Sequence, residues 1–514
     1  MKSLLSIIIS IFVISQICFS QEVIELKNSA SNKVIIRLMF RNGSISDPAG
    51  KEGLTDITAS MIGSGGSTEY TYSQIQDMLY PMAASYGASV DKEVTTFYFQ
   101  VPAVFLNDFY SIVKGVFLTP AFAESDFERI KSNQQNYVDQ VIRASSDEEY
   151  SKKALEDFLF RGTRYQHMTA GKSDGVKAIT LDDVKNHYKN YFTKNNLLIG
   201  IAGNYTDDFL NTLKSDLQKL PDTKPVLPGK IIPSEPKGIN VEIIEKEGSF
   251  GSAIFMGFPM DITRSNDEFA ALMVANSYLG EHRKSYGVLY NKLRETRSMN
   301  YGDYSYIEWY PAGGGNMLPP SGAPRSTNYF SMWIRPVQIA KQLKAQYSEL
   351  SGINIGHAHF AIRMAIRELD NLVTNGMTKK AFEDTRQFLQ SYIKLYIQRP
   401  SDQLGYLMDA NFYGRKDYIA DMEKLLAKLT LNDVNKAIKK YWQIKNMDIT
   451  IVTDVTEAEP LAKSLQENLP SPMTYSNLVK SGQPKDVLAE DDVVANYKLN
   501  INSVKIVKNE DTFK

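Results

Sequence analysis

The sequence predicts an α+β protein made of two homologous halves joined by a proline-rich linker. Three observations carry that expectation. Residues 180–192 (TLDDVKNHYKNYF) return 250 residues later as residues 430–442 (TLNDVNKAIKKYW), with Thr, Leu, Asp, Val, Lys and Tyr matching in place. Self-similarity at a fixed offset marks a repeated structural unit. Each copy leads into an apolar strand-like run, residues 197–202 and 449–452, and then into a helical stretch, residues 208–220 and 460–469. Between the halves, Pro221, Pro225, Pro228, Pro233 and Pro236 give the composition of a linker.

Each element follows from its local pattern. Lys2, the apolar run of residues 4–14 broken by Ser6 and Ser10, and the small residues Cys18 and Ser20 before Gln21 read as a secretory signal peptide of residues 1–20. The run is short for a membrane span. Lipidation at Cys18 would need a small residue before it, and Ile17 is not small. Export to a bacterial periplasm is expected. Residues 34–40 are β-branched and apolar and end at the turn signal Asn42-Gly43. Leu54, Ile57 and Met61 fall at i, i+3 and i+7, so this segment is an amphipathic helix with Asp56 and Ser60 on a shared face. Thr95, Phe97, Phe99 and Val101 alternate with polar or exposed-type neighbours, as in a half-buried strand. Residues 105–118 are apolar at helical spacing and stop near Pro120. Thr180 and Thr430 are candidate N-caps, with Asp183 and Asp433 three residues on.

The second half repeats the plan. Strands are expected at residues 253–258 and 329–334, and helices at 267–279, 285–295, 360–373 and 379–397. The Gly- and Pro-rich residues 311–324 read as a long loop. After Pro470 there is no strong periodicity, and partial order at best is expected. The resulting division is residues 1–20 signal peptide, 21–220 first half, 221–238 linker, 239–470 second half and 471–514 tail.

Composition narrows the function. The chain has 514 residues, 43% hydrophobic and 23% charged, which is ordinary for a globular protein. With 58 basic and 59 acidic residues the formal charge is −1, so no field favours nucleic acid. Cys18 is the only cysteine, which removes disulfides and thiolate metal sites from the mature chain. No Gly-x-Ser-x-Gly elbow occurs, so a serine hydrolase of that type is not expected. His357 and His359 are the only close histidine pair, and i, i+2 positions do not face each other on a helix. Gly313 to Gly315 are not followed by Gly-Lys-Ser/Thr, so they make no P-loop.

Residues 53–61 (GLTDITASM) resemble the frame in which pitrilysin/insulinase-type zinc peptidases carry H-x-x-E-H. Asp56 stands at the first histidine, Ala59 at the glutamate base and Ser60 at the second histidine. Residues 285–302, with Leu293-Arg294-Glu295 and then Tyr301, resemble the Leu-Arg-Glu…Tyr signature of the C-terminal half of the same family, which includes processing-peptidase-like proteins. The resemblance runs from about Val34 to Val455. It implies that each half is an α/β sandwich with a mainly antiparallel sheet flanked by helices. It implies that Arg294 and Tyr301 bind substrate, as donors aimed at a peptide carbonyl, with Leu289 and Leu293 packed beneath them. It also places a third zinc ligand, a glutamate in the family, near residues 136–140, where Asp139 is the only carboxylate. Catalytic zinc needs three N, O or S ligands and an open water site. Asp56, Ala59 and Ser60 form at most a degenerate metal site, and no metal or cofactor is expected in this chain.

Two functions follow from the resemblance. In the first, the chain is inactive alone and is the non-catalytic subunit of a heteromeric zinc metalloendopeptidase. It then supplies the Arg294/Tyr301 pair and a chamber wall, while a homologous H-x-x-E-H partner supplies the zinc. In the second, it is a peptide-binding or scaffold protein without peptidase activity. Neither calls for nucleic acid or for a membrane span after signal cleavage.

Overall fold

Two sheets of the same design organise the chain in the computed structural model, which describes residues 22–310 and 318–514. The first contains β1 (Val23–Lys27), β2 (Lys33–Phe40), β3 (Ser85–Val90), β4 (Thr95–Pro102) and β5 (Leu197–Gly203), in the order β1-β5-β2-β4-β3. The second contains β6 (Ile239–Glu245), β7 (Ser252–Met260), β8 (Asp303–Tyr306), β9 (Asn328–Val337), β10 (Met447–Thr453) and β11 (Ile501–Lys508), in the order β11-β6-β10-β7-β9-β8. Without β11, the second order is the first one repeated. The pairs β1/β5 and β6/β10 are parallel, as is β11/β6, and the other pairings are antiparallel. The mixed α/β architecture in two halves therefore matches the fold expected from the repeat.

The repeated segments behave alike because their chemistry is alike. The helices Leu181–Tyr191 and Leu431–Tyr441 both open with a reciprocal capping box, Thr180 with Asp183 and Thr430 with Asp433. The strands that follow, β5 and β10, are buried at every residue, as continuous apolar runs covered on both faces should be.

What covers the second face is a helix from the other half. Asp147–Leu159, from the first half, packs over β7 and β10. Pro400–Phe412, from the second half, packs over β1 and β5. Leu155, Leu159 and Phe160 thus join Phe255, Tyr329 and Trp333 in one apolar cluster. Leu404 and Met408 join Ile35, Met39, Leu198 and Ala202 in another. Gly200 permits the second contact: a Cβ there would lie 2.4 Å from Met408 Sδ.

Several expectations need correction. The segment after Pro470 is ordered, with a helix Lys485–Ala495, strand β11 and a buried Phe513. A strand exposed on one side shows little periodicity, and its register comes from β6 rather than from its own pattern. The helix expected at residues 285–295 is instead a π-helical turn, Tyr290–Glu295, entered at residue 288. The long helix expected at 379–397 stops at Tyr392 and tightens to a 3-10 turn. Strands β1, β3, β6 and β8 were not foreseen. Residues 221–238 form no helix or strand. The signal-peptide assignment and residues 311–317 of the long loop lie outside the described residues.

Candidate functional site

The helix Leu54–Gly63 is seated by its apolar stripe. Leu54, Ile57 and Met61 pack with Phe127, Ile130, Val138 and Tyr150. Its N-terminus begins at Gly53, held at φ 106, where a Cβ would lie 2.8 Å from the Ala170 carbonyl oxygen. Asp47 closes that end: its carboxylate accepts from Gly53 N at 2.7 Å, Thr55 N at 2.8 Å and Thr55 Oγ1 at 2.6 Å. A carboxylate on the free N–H groups of a helix start satisfies orphan donors and the local dipole.

Thr55 gives its single hydroxyl proton to Asp47, so at 3.0 Å it accepts from His187 Nε2–H. Burial pushes the His187 imidazole down to about 4, against the pull of Asp47. The neutral Nε2–H tautomer therefore serves structure. An imidazole held below its ordinary 6.5 contributes stability above pH 6.5 that is lost as the pH falls towards 4. The expected result in a ¹⁵N-detected histidine titration is a His187 ring still neutral at about pH 5; a ring titrating at its ordinary value would refute the assignment.

The three residues expected to form a degenerate metal site, Asp56, Ala59 and Ser60, lie on this helix. Asp56 is half-buried, and burial together with the Asp47 carboxylate pushes its carboxyl up to about 7. Ala59 is buried in the core of the first half. Ser60 is half-buried. Asp139 sits on a second π-helical turn, Tyr137–Val141, and accepts from Gln135 Nε2 at 2.6 Å. Among the described residues no group of three or more His, Cys, Asp and Glu comes together to hold a metal ion. One partly protonated carboxyl, a methyl group and a hydroxyl do not make a catalytic zinc site.

Arg294 and Tyr301 line the same pocket. The π-helical turn that carries Arg294 rests on Leu289 and Leu293, both fully buried. The chain then reverses at Ser298, held at φ 53, where Ser298 N donates to Arg294 O at 2.7 Å. A non-glycine residue in the left-handed region is uncommon and stores strain. The reversal brings both residues to the wall of one open pocket of about 580 Å³. Tyr301 is 78% exposed. The Arg294 guanidinium donates to its neighbour Glu295 at 2.6 Å and lies over Tyr290 at 5.3 Å.

The same wall includes Glu148, Phe250 and Arg335, which the sequence did not single out. Arg335 Nε donates to Glu148 Oε1 at 2.8 Å, joining the second half to the first. Phe250 is 86% exposed. Its position in a Gly-Ser-Phe-Gly turn was a readable hint of an exposed aromatic, whereas Glu148 and Arg335 are neighbours only through the fold. Beneath them, burial raises the Asp303 carboxyl well above the carboxylate range. Asp56, Ala59 and Ser60 do not line this pocket.

Residues 23–172 match the Insulinase (Peptidase family M16) domain, and residues 178–389 match the Peptidase M16 inactive domain. The chain is 20% identical over 426 residues to a Helicobacter pylori protein named Non-peptidase homolog YmxG, spanning 82% of this chain and 88% of that one. It is 22% identical over 292 residues, 56% of this chain and 68% of the relative, to the Bacillus subtilis Uncharacterized zinc protease YmxG. A crystal structure of the peptidase M16 inactive domain from Pseudomonas fluorescens shares its fold, with TM-score 0.71 and 18% identity over 85% of this chain and 96% of that one. A protease structure from Helicobacter pylori follows at TM-score 0.68 and 13% identity, over 84% of this chain and 97% of that one.

Proposed function

Because this chain belongs to the M16 (insulinase) peptidase family, we propose that it is an inactive member, with Asp56, Ala59 and Ser60 in the zinc frame, and serves as the non-catalytic subunit of a two-chain zinc peptidase. The partner supplies an intact H-x-x-E-H zinc site, and this chain supplies Arg294, Tyr301 and part of the chamber wall. The supporting observation is that Arg294 and Tyr301 line one open pocket and that Tyr301 is largely exposed there. An arginine fork and a phenol OH are donors suited to a peptide carbonyl and to the charge that develops on it during hydrolysis. The relative named as a non-peptidase homologue fits the same division of labour.

The test is cleavage of a quenched peptide by this chain alone, by a candidate zinc subunit alone, and by the mixture. Activity is expected only in the mixture. Arg294→Ala in this chain is expected to lower it by about a hundredfold, the usual effect of removing one oxyanion donor. Undiminished activity with Arg294→Ala would remove the arginine from the site. Peptide binding with no gain in cleavage on mixing would make the chain a peptide-binding scaffold instead.

A further inference from the structure

The described residues contain two π-helical turns, Tyr137–Val141 and Tyr290–Glu295. The wide i→i+5 turn is rare and leaves carbonyl groups poorly used. In both turns an arginine just downstream returns to fill that gap. Arg143 Nη1 donates to the carbonyls of Val138 at 2.9 Å and Asp139 at 2.6 Å. Arg297 Nη1 donates to the carbonyl of Lys292 at 2.8 Å.

Both guanidinium groups then hold the C-terminal segment with their remaining donors. Arg143 Nε donates to Asn509 O at 3.1 Å, and its Nη2 donates to Thr512 O. Tyr150 adds a bond to Asn509 Oδ1 at 2.7 Å. Arg297, with a fully buried side chain, donates to Asp491 Oδ1 at 2.7 Å and Glu490 Oε2 at 2.9 Å. Lys292, inside the π turn, pairs with Glu490 at 2.6 Å. Between these anchors β11 runs along β6. At the far end Phe513 is buried beside Tyr150, in the cluster under the helix Leu54–Gly63.

Among the described residues the sheet of the first half has five strands and no counterpart of β11. The repeated unit is therefore complete without residues 485–513, and the extra segment reaches both π turns. We propose that this C-terminal segment is a clamp that positions the turn bearing Arg294, and through it Tyr301, with Arg297, Glu490 and Asp491 as positioning residues and Arg143 holding the other end. The clamp rests on the function proposed above, since it is Arg294 and Tyr301 that it places. Each charged bond from Arg297 to the helix Lys485–Ala495 is of the strong, geometry-setting kind, and the opposing left-handed turn at Ser298 needs a fixed neighbour to hold it.

Hydrogen exchange and binding of fluorescein-labelled casein, both measured on the full chain mixed with the zinc subunit, test this. The isosteric pair Glu490→Gln with Asp491→Asn is expected to speed amide exchange in residues 288–301 by about tenfold or more, leave β6, β7 and β10 protected, and weaken casein binding. Glu490→Asp, which keeps the charge, is expected to retain protection and binding. Phe513→Ala, should the double variant fail to fold, is expected to speed exchange in residues 137–143. Unchanged exchange in 288–301 overturns the clamp. Faster exchange there with unchanged casein binding overturns it as a positioning device, provided Arg294→Ala abolishes binding. If Arg294→Ala binds casein normally while the exchange still responds, the clamp stands and the peptide-site assignment falls.

Discussion

Arg325→Ala is expected to lose about 3–5 kcal/mol of unfolding free energy, the usual result of breaking a buried ion pair from one side. Arg325 comes from the second half and reaches two carboxylates of the first. It grips Asp91 with both prongs, Nε–Oδ2 and Nη2–Oδ1 each at 2.7 Å, and its Nη1 donates to Glu156 at 2.7 Å. None of these side chains is more than 7% exposed. Lys92 completes the group: its ammonium lies 3.9 Å from Glu156 and donates to the carbonyls of Tyr165 at 2.8 Å and His167 at 2.6 Å. Burial lowers Lys92 to about 8; burial raises the Glu156 carboxyl, but the Arg325 and Lys92 charges outweigh it and hold Glu156 well below the carboxylate range. Removing Arg325 leaves two buried carboxylates facing one lysine. Arg325→Lys is expected to recover little, because a point ammonium cannot reproduce the fork on Asp91. Urea unfolding of the three proteins decides it; a loss under about 1 kcal/mol for Arg325→Ala would mean that the network is wet or rearranges.

Met408→Ala is expected to cost about 2–5 kcal/mol and to weaken both halves together. Met408 belongs to the second half by sequence, yet its side chain is fully buried against the sheet of the first, opposite Gly200. The reciprocal helix Asp147–Leu159 does the same to the sheet of the second half. Each half thus lacks one face of its core when alone. Unfolding followed by fluorescence and by exchange at β2 and β10 is expected to give one coincident transition, shifted as a whole in the variant. Two separated transitions, with only the second half affected by Met408→Ala, would refute the interlock.

Much of the architecture was legible because it is written in local chemistry. The Thr180/Asp183 and Thr430/Asp433 caps follow from residue type and spacing, and both close as capping boxes. Alternation in residues 95–101 and helical spacing in residues 105–118 gave β4 and the helix Leu106–Leu118 within a residue or two. The short strands β3 and β8 were missed because their burial depends on neighbours rather than on their own pattern. The tail was underestimated for the same reason: β11 gains its order from β6 and from Arg143 and Tyr150, far away in sequence.

The sequence by itself determined the two-half α+β plan and the family, and it set Asp56, Ala59 and Ser60, none of them an imidazole, on one helix, because residue type and helical spacing are local properties of the chain. Only the tertiary structure decided that Arg294 and Tyr301 share a pocket wall with Glu148, Phe250 and Arg335, that each sheet is finished by the other half's helix, and that the C-terminal segment holds both π turns. Donor types are a property of residues, whereas a shared pocket, a buried ion network and a crossing helix come from long-range packing, which joins residues hundreds of positions apart and leaves no period in the chain.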